Sequence, residues 1–340
     1  MSTSPKRSAP RSRPVLAAGI LGVGKFIPAK VLTNRDLEKI VDTNDEWIRT
    51  RTGIRERHIA EPGTPTSDLA VEAGRAALAQ AGIKPADLDL LIVATITPDV
   101  PFPATSCIVQ HKLGAGRAAC FDINAACAGF VYGITTAAQF ITNGVYRNAL
   151  VIGAEVLSTA VDWTDRSTCV LFGDGAGACV LGPVEKGRGI LGTYLASDGA
   201  HGDLLTIPAG GSRLPASRET VDQRLHYLRM EGSEVFKLAV RLMADAVQKV
   251  LAKCGLVCED IDCLIPHQAN ERIIDAVLKR TRIPKEKVFL NVGCYGNMSA
   301  ASTAVALAEA VETGKIRKGD TVVLVAFGSG LAWGATVLKW

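Results

Sequence analysis

The stretch ALAQAGIKPADLDLLI (77–92) returns later in the chain as VLAKCGLVCEDIDCLI (250–265). The two copies lie at an offset of 173 residues, and seven of their sixteen positions are identical. Each copy has the pattern of an amphipathic helix that ends at a glycine, followed by a short acidic turn and an apolar strand. One helix–strand unit is therefore predicted to occur twice in this chain.

Two further pairs of segments extend the repeat. ALVIGA (149–154) aligns with VVLVAF (322–327) at the same offset, and both are rich in strand-forming residues. FGDGAGACVLG (172–182) resembles FGSGLAWGATVL (327–338), but at an offset of 155. The smaller offset implies about 18 extra residues in the first copy, near 156–171.

The repeat predicts a duplicated α/β domain. Glycines and a proline interrupt the pattern near 183–190, where the two halves are expected to divide. We therefore assign an N-terminal half to 15–185 and a C-terminal half to 186–340. Equivalent loops of two such halves meet at their junction, which is a common place for a binding site.

Composition restricts the class of protein. Of the 340 residues, 48% are hydrophobic, which excludes intrinsic disorder, and a net charge of +4 gives no indication of nucleic-acid binding. Nine cysteines without a C-x-x-C pair argue for a reducing compartment, and we expect the cytoplasm. The uncharged stretches 123–146 and 321–338 contain too many small and polar residues for bilayer helices, so no membrane span is predicted.

The N-terminal segment 1–14 is basic, contains serine and proline, and has no acidic residue. A transit peptide or a nucleic-acid-binding arm would fit this composition. The segment also fits a disordered leader before the first strand, which is the interpretation we favour.

The strongest nucleophile candidate is Cys127 in FDINAACAGF (121–130), where an apolar strand is expected to turn into a helix. The N–H groups at the start of a helix favour a thiolate. The alternative is a small buried thiol among alanines. His267 in IPHQAN, at the end of the repeated strand, is a candidate base or a core histidine, and Asn297 in CYGNMSAAS is a candidate donor or a helix cap.

Together these three motifs, in this order, closely resemble the β-ketoacyl-acyl-carrier-protein synthase III family. The likeness extends to VDTNDEWIRTRTGIRERHIA (41–60), FGDGAGA (172–178) and FGSGLAWG (327–334). This family initiates type II fatty acid synthesis and has the thiolase fold. The resemblance implies a five-layered α-β-α-β-α sandwich, in agreement with the duplication.

The resemblance also implies a mechanism. Cys127 would take an acyl group from a short acyl-CoA primer such as acetyl-CoA, and malonyl-acyl carrier protein would then lose CO₂ and be acylated. His267 and Asn297 would stabilise the enolate, and the backbone N–H groups of Cys127 and Ser329 would form a second oxyanion hole. No metal or redox cofactor is expected, because none of these steps requires one.

Further sites follow from the matching motifs. The resemblance assigns CoA binding to the stretch that begins with DTNDEWIRTR and to TDRST, a primer pocket to VPFPATS, and carrier-protein docking to HQANER. Without the motifs, the arginines read equally well as solvated surface charges. Phe102 would reach the pocket across a homodimer interface. The CoA residues are Thr43, Trp47, Arg51 and Arg166, and the docking residues are Gln268, Ala269, Asn270, Glu271 and Arg272.

Two other functions remain open on the sequence. GNMS also occurs in chalcone-synthase-like enzymes, so a related condensing enzyme or acyltransferase of secondary metabolism would fit. A non-catalytic acyl-CoA-binding protein is the other alternative. The retained cysteine argues against it, because loss of the nucleophile is the change expected in such a protein.

Overall fold

The computed structural model describes residues 17–340, so the predicted leader over 1–14 lies outside the described part of the chain. The strands are β1 (Ala17–Phe26), β2 (Lys30–Thr33), β3 (Glu56–Ile59), β4 (Leu90–Ala94), β5 (Ala119–Ile123), β6 (Ala149–Val156), β7 (Asp174–Val184), β8 (Gly189–Ser197), β9 (Leu205–Thr206), β10 (Arg229–Met230), β11 (Cys263–Pro266), β12 (Thr321–Gly328) and β13 (Ala332–Lys339). The helices are α1 (Asn34–Leu37), α2 (Asp45–Thr52), α3 (Thr66–Ala81), α4 (Thr105–Leu113), α5 (Gly129–Thr142), α6 (Arg166–Cys169), α7 (Arg218–Asp222), α8 (Gly232–Lys253), α9 (Glu271–Thr281), α10 (Val292–Tyr295) and α11 (Ala300–Glu312).

The predicted repeat is confirmed by the elements that its two copies form. Helix α3 and strand β4 arise from the first copy, and helix α8 and strand β11 from the second. A glycine in the left-handed conformation lies just beyond each helix, at Gly82 (φ 66°) and Gly255 (φ 67°). Short 3₁₀ turns over Pro85–Asp87 and Cys258–Asp260 then lead into the strands, as the acidic turns predicted.

The two large sheets share one strand pattern. The first has the order β1-β7-β6-β4-β5, and the second has the order β8-β13-β12-β11. In the first sheet β6 pairs in parallel with β4 and antiparallel with β7. In the second sheet β12 pairs in the same way, in parallel with β11 and antiparallel with β13. In chain order, β7 is the last strand of the first sheet and ends at Val184, and β8 is the first strand of the second sheet and begins at Gly189.

These sheets and their helices stack in five layers, as the fold class predicted. Helices α5 and α11 form the central layer, and their apolar residues share one core with both sheets, including Phe130, Ile134, Leu307, Ile92 and Leu324. Helix α3 covers the outer face of the first sheet, and helices α8 and α9 cover the outer face of the second.

Glycines allow the central helices to approach the first sheet closely. A Cβ atom at Gly177 on β7 would lie 2.5 Å from the backbone nitrogen of Val305 on α11. A Cβ at Gly153 on β6 would collide with the carbonyl oxygen of Ala300, at the start of the same helix. Because real Cβ atoms do not approach backbone so closely, glycine at both positions fixes where α11 begins.

The extra residues predicted near 156–171 are found between β6 and β7. They form the 3₁₀ turn Leu157–Thr159 and helix α6, whereas only residues 329–331 separate β12 from β13. Arg57, which is completely buried, holds this insertion by donating a 2.6 Å hydrogen bond to the carbonyl oxygen of Val170. The insertion thereby becomes one wall of the junction between the halves.

Within residues 17–340, no helix combines the length and the apolar composition that crossing a bilayer requires.

Candidate active site

Cys127 lies in a 3₁₀ turn, Ala126–Ala128, between strand β5 and helix α5. The turn is unusual because Ala126 has a positive φ of 45°, which non-glycine residues seldom adopt. A Cβ at Gly328, where β12 ends, would lie 2.5 Å from the Cys127 nitrogen. The second half of the chain therefore packs directly onto the nucleophile turn, and Cys127 is only 6% exposed.

The ionisation of Cys127 differs from the sequence-based expectation of a favoured thiolate. Burial raises the pKa of the thiol to about 12, and the negative charge of Glu155 contributes to the rise. The nearby Ser299 hydroxyl and the backbone N–H of Cys127 lower this pKa, but by less than burial raises it. Cys127 therefore rests as a neutral thiol, because removing a charge from water costs more than these donors return.

His267 immediately follows strand β11 and is 2% exposed. Its backbone N–H donates to the carbonyl oxygen of Val325 at 2.7 Å, which ties it to the neighbouring strand β12. The ring atom Nδ1 is buried without a hydrogen-bond partner. Burial lowers the pKa of His267 to about 3, so the imidazole is neutral at physiological pH.

Asn297 is held by hydrogen bonds at its backbone and at its side chain. Its N–H donates to the carbonyl oxygen of Leu171 at 2.8 Å, and its Oδ1 accepts from the N–H of Ser299 at 2.8 Å. Because Ser299 occupies Oδ1, the amide nitrogen Nδ2 is the atom that can donate into the cavity. Asn297 is not the N-cap of α11, as one interpretation of the sequence had it; the N-cap is Ser299.

Two cavities meet at Cys127. The smaller, of about 100 Å³, brings Cys127, His267 and Asn297 together and continues past Phe236 and Ala269. The larger, of about 800 Å³, has the apolar side chains Ile96, Leu157 and Ile207 in its wall, together with Ser329. The thiol thus shares the smaller cavity with His267 and Asn297, and it borders a larger cavity whose wall is both apolar and polar.

The predicted CoA-binding residues come together on the protein surface. The guanidinium groups of Arg51 and Arg166 lie 5.1 and 5.0 Å from the centre of the Trp47 ring. Arg166 also donates to the carbonyl oxygen of Asp42 at 2.8 Å. Thr43 is half-buried, and its hydroxyl oxygen is buried without a hydrogen-bond partner. Two cations on one indole form a platform for a flat, electron-rich ring.

Phe102 is not brought to Cys127 within one chain. Its side chain is 88% exposed, in the loop between β4 and α4, and it lines neither of the cavities at Cys127.

Ser329 does line the larger cavity with Cys127, and its hydroxyl donates to the carbonyl oxygen of Leu205.

The predicted docking stretch divides into buried and exposed residues. The Gln268 side chain is completely buried, so it is not available for direct contact with a docked partner. Its Nε2 donates to the carbonyl oxygens of Pro266 and Phe289, and its Oε1 accepts from the N–H groups of Asn291 and Val292. Gln268 therefore joins the end of β11 to the segment that leads to Asn297.

The other four residues of the stretch have distinct surroundings. Ala269 lines the smaller cavity, and Asn270 caps α9 while donating to the carbonyl oxygen of Arg51 at 3.1 Å. Glu271 forms an ion pair with Lys285 at 3.0 Å. Arg272 is exposed, with its guanidinium 5.7 Å from the centre of the Phe236 ring.

Two buried polar residues near Cys127 were not identified from the sequence. Glu155 on β6 is completely buried, and Ser299 is 1% exposed at the start of α11. An acidic residue inside the otherwise uncharged run ALVIGAEVL was the signal that could have identified Glu155. Nothing in the sequence distinguished Ser299 from other small helix residues.

In residues 17–340, no group of three or more His, Cys, Asp or Glu side chains is arranged to hold a metal ion.

The chain is similar to one family of known proteins, both by family models and by individual relatives. Residues 121–199 match the family model of 3-oxoacyl-[acyl-carrier-protein] synthase III, and residues 251–340 match the model of its C-terminal part. The β-ketoacyl-[acyl-carrier-protein] synthase III of Caldanaerobacter subterraneus subsp. tengcongensis is 60% identical over 325 residues, 96% of this chain and 98% of that protein.

Solved structures agree with these relatives. The 3-oxoacyl-[acyl-carrier-protein] synthase III of Aquifex aeolicus VF5 has a TM-score of 0.88 and 49% identity, over 95% of this chain and 100% of that one. The priming β-ketosynthase of the R1128 polyketide biosynthetic pathway has a TM-score of 0.89 and 36% identity, over 98% of this chain and 99% of that one.

The burial of Gln268 gives a prediction about stability. Gln268→Ala removes all four of its hydrogen bonds and leaves buried backbone groups unsatisfied, so it should cost about 2–4 kcal/mol in the free energy of unfolding. Urea denaturation measures this cost. Arg272→Ala, an exposed neighbour, is the matched control and should change stability by less than about 0.5 kcal/mol. Equal stability of the two variants would contradict the structural role.

Proposed function

The chain belongs to the 3-oxoacyl-[acyl-carrier-protein] synthase III family, and from this membership we propose that Cys127, His267 and Asn297 carry out its reaction. The protein is a condensing acyltransferase of fatty acid biosynthesis. It joins a short acyl group from acyl-CoA to malonyl-acyl carrier protein, giving 3-oxoacyl-carrier protein, CoA and CO₂. The observation that carries the assignment of roles is the position of Cys127, which lines both the larger cavity and the cavity that contains His267 and Asn297.

In the first half-reaction, the Cys127 sulfur attacks the thioester carbon of the primer acyl-CoA. The new S–C bond forms, the bond to the CoA sulfur breaks, and the proton of the thiol ends on that sulfur. Because burial keeps Cys127 protonated, proton loss accompanies the attack instead of preceding it. The acyl group then occupies the larger cavity, whose wall includes Ile96 and Leu157.

The tetrahedral intermediate of this step carries an oxyanion beside Cys127. We assign its stabilisation to the backbone N–H groups of Cys127 and Ser329. Two observations support the assignment: Ser329 lines the same cavity as Cys127, and Gly328 packs against the Cys127 nitrogen. Loss of one such donor typically slows an acyl transfer about 10²–10³-fold.

In the second half-reaction, the malonyl group of malonyl-carrier protein enters the smaller cavity. The bond between its α-carbon and its carboxylate breaks, which releases CO₂. The electron pair moves onto the thioester oxygen as an enolate, to which His267 and the Nδ2 of Asn297 donate hydrogen bonds. The enolate carbon attacks the acyl-Cys127 carbonyl, a C–C bond forms, the C–S bond breaks, and the released thiolate takes a proton from solvent. Both donors are neutral, which suits a site where a permanent charge would be costly to bury.

We assign CoA recognition to Trp47, Arg51 and Arg166, with Thr43 beside them. The two guanidinium groups already stack on the indole, and a purine can enter this stack through ring and cation–π contacts. We assign carrier-protein docking to the surface around Arg272, since carrier proteins are acidic and this arginine is exposed.

The residues present account for every step with a thiol, an imidazole, an amide and backbone N–H groups, so we propose no resident cofactor. All nine cysteines are free, which supports work in a reducing compartment such as the cytoplasm. A role in secondary metabolism is the second candidate, supported by the 36% identity to the priming β-ketosynthase of a polyketide pathway.

The covalent step is tested by the intact mass of the protein after exposure to a panel of acyl-CoAs. We expect one acyl adduct per chain with the preferred primer, and none with Cys127→Ala. Cys169→Ala, which removes another buried thiol, is the matched control and should load normally. An adduct that persists in Cys127→Ala would contradict the assignment.

Asn297→Asp tests the division between the two half-reactions. The aspartate can still accept the hydrogen bond from Ser299, but it puts a negative charge where the enolate oxygen forms. We expect acyl loading of Cys127 to remain while condensation falls at least about 10²-fold. Adduct mass measures loading, and release of CO₂ from malonyl-carrier protein measures the second step. Equal losses in both steps would argue that Asn297 acts on the whole site.

We also propose that the protein is a homodimer in which Phe102 contacts the partner's primer pocket. Its ring is almost fully exposed, and β5 is an edge strand of the first sheet in the single chain. Sedimentation equilibrium should give twice the chain mass, and Phe102→Ala should shift the adduct preference toward longer acyl groups. Val221→Ala, another exposed apolar residue, is the control. A monomeric mass would overturn this proposal.

A further inference from the structure

Glu309 on helix α11 receives hydrogen bonds from three separate side chains. Its carboxylate accepts from the Tyr295 hydroxyl at 2.5 Å and from the side-chain amide of Asn291 at 2.8 Å. It also forms an ion pair with Lys25 on β1 at 2.9 Å. A carboxylate suits this position because it accepts at both oxygens, whereas an amide would turn an N–H group toward one of the donors. The mechanism above does not use Glu309.

The three donors keep Glu309 ionised. Burial acts to raise its pKa, but the hydrogen bonds from Tyr295, Asn291 and Lys25 outweigh burial and hold this pKa below its usual value. Lys25 also pairs with Glu312 at 2.6 Å. Glu309 and Glu312 thus share one cation, and of the two it is Glu309 that accepts from Asn291 and Tyr295.

These contacts connect the two helices on either side of Asn297. Helix α10 precedes the loop 296–299, in which Asn297 lies, and helix α11 follows it. Asn291 is the residue before α10, and Tyr295 is the last residue of α10. Because Glu309 is part of α11, its hydrogen bonds to these two residues tie together the two ends of the loop.

The backbone of this loop is strained. Gly296 has φ 66° and Ser299 has φ 47°, and residues with a side chain seldom adopt such a value. A Cβ at Gly296 would lie 2.7 Å from the carbonyl oxygen of Leu171, so a stiffer residue cannot replace this glycine. A strained conformation persists only when the surrounding structure fixes it. The ends of the loop must therefore be held by groups outside it.

The main-chain contacts of Asn297 leave its side chain free to turn. Its N–H donates to the carbonyl oxygen of Leu171, and its carbonyl oxygen accepts from the N–H of Gly173. A shift of α10 against α11 would rotate the loop about these two contacts without breaking them. The direction in which Asn297 Nδ2 points would then change while the fold stays intact.

We propose that Glu309 is a positioning residue that fixes the direction in which Asn297 donates to the enolate, by clamping α10 to α11 and to β1. The inference rests on the proposed role of Asn297 in the second half-reaction. Acyl loading of Cys127 does not use this donor, so loss of the clamp should affect condensation and not loading. A residue that served only the stability of the fold would affect both half-reactions alike.

The test measures the two half-reactions separately in Glu309→Gln, which keeps the size of the side chain but turns an N–H group toward one of the donors. We expect acyl loading, measured by adduct mass, to stay within about twofold of the unchanged protein, while CO₂ release from malonyl-carrier protein per loaded site falls about tenfold. Glu312→Gln removes the other partner of Lys25 and is the matched control, in which both rates should remain unchanged.

Tyr295→Phe is the second variant, and it removes one donor while keeping the ring that lies 5.5 Å from the ring of His58. CO₂ release per loaded site should fall about threefold in this variant. In the Glu309→Gln background the same change should lower it by less than about 1.5-fold, because the clamp is already open. Tyr295→Phe also decides the question if Glu309→Gln does not fold.

An equal fall of loading and condensation in Glu309→Gln would overturn the inference, as would an equal effect of Glu312→Gln. Unchanged condensation in Glu309→Gln or in Tyr295→Phe would overturn it too. Asn297→Asp separates this failure from failure of the proposed function. If loading and condensation respond equally in Asn297→Asp, the proposed function fails; if they separate there but not in Glu309→Gln, the role of Glu309 alone fails.

Discussion

The site depends on the close packing of two helices between two sheets. Helix α5 begins directly after the 3₁₀ turn that contains Cys127, and helix α11 begins at Ala300, shortly after Asn297. Both helices share one apolar core with strands of the two halves. Because glycines at positions 153 and 177 let backbone meet backbone, α11 has little freedom to shift along the sheet. The positions of Cys127 and Asn297 are therefore fixed by the core.

The same packing explains the chemistry of the side chains. A thiol in this core is expensive to ionise, and an imidazole in it is expensive to protonate. The site consequently has neutral Cys127 and neutral His267 at the pH where the protein works. An enolate that forms only briefly can be stabilised there by fixed donors, with no counter-charge to displace. Neutrality is a consequence of burial and requires no special partner.

The sequence predicted the fold well because duplication repeats its local signals. The glycine-ended helices and apolar strands of 77–92 and 250–265 require only neighbouring residues to form. Cys127, His267 and Asn297 could also be identified as candidate site residues, since each follows a strand or a turn with a distinctive motif. Such features depend on residues close in sequence, and they were predicted at their observed positions.

Features that depend on distant residues were predicted poorly. The ionisation of Cys127 was expected to follow the helix that starts beside it, but burial by the second half of the chain reverses the direction. Gln268 looked like part of a surface motif, yet three of its four hydrogen-bond partners lie at 289–292, more than twenty residues further along the chain. Glu155 was overlooked because its hydrogen-bond donors lie at 95–97, far from it in the chain.

These cases share a physical cause. Hydrogen-bond satisfaction and desolvation are properties of a finished interior, in which the hydroxyl donors for the Glu155 carboxylate lie 58 and 60 residues away in the chain. A local motif can identify which residue carries the chemistry, whereas only the packed structure determines its protonation state. In this protein the proposal of Cys127 as the nucleophile follows from its turn, and its resting form follows from everything packed around that turn.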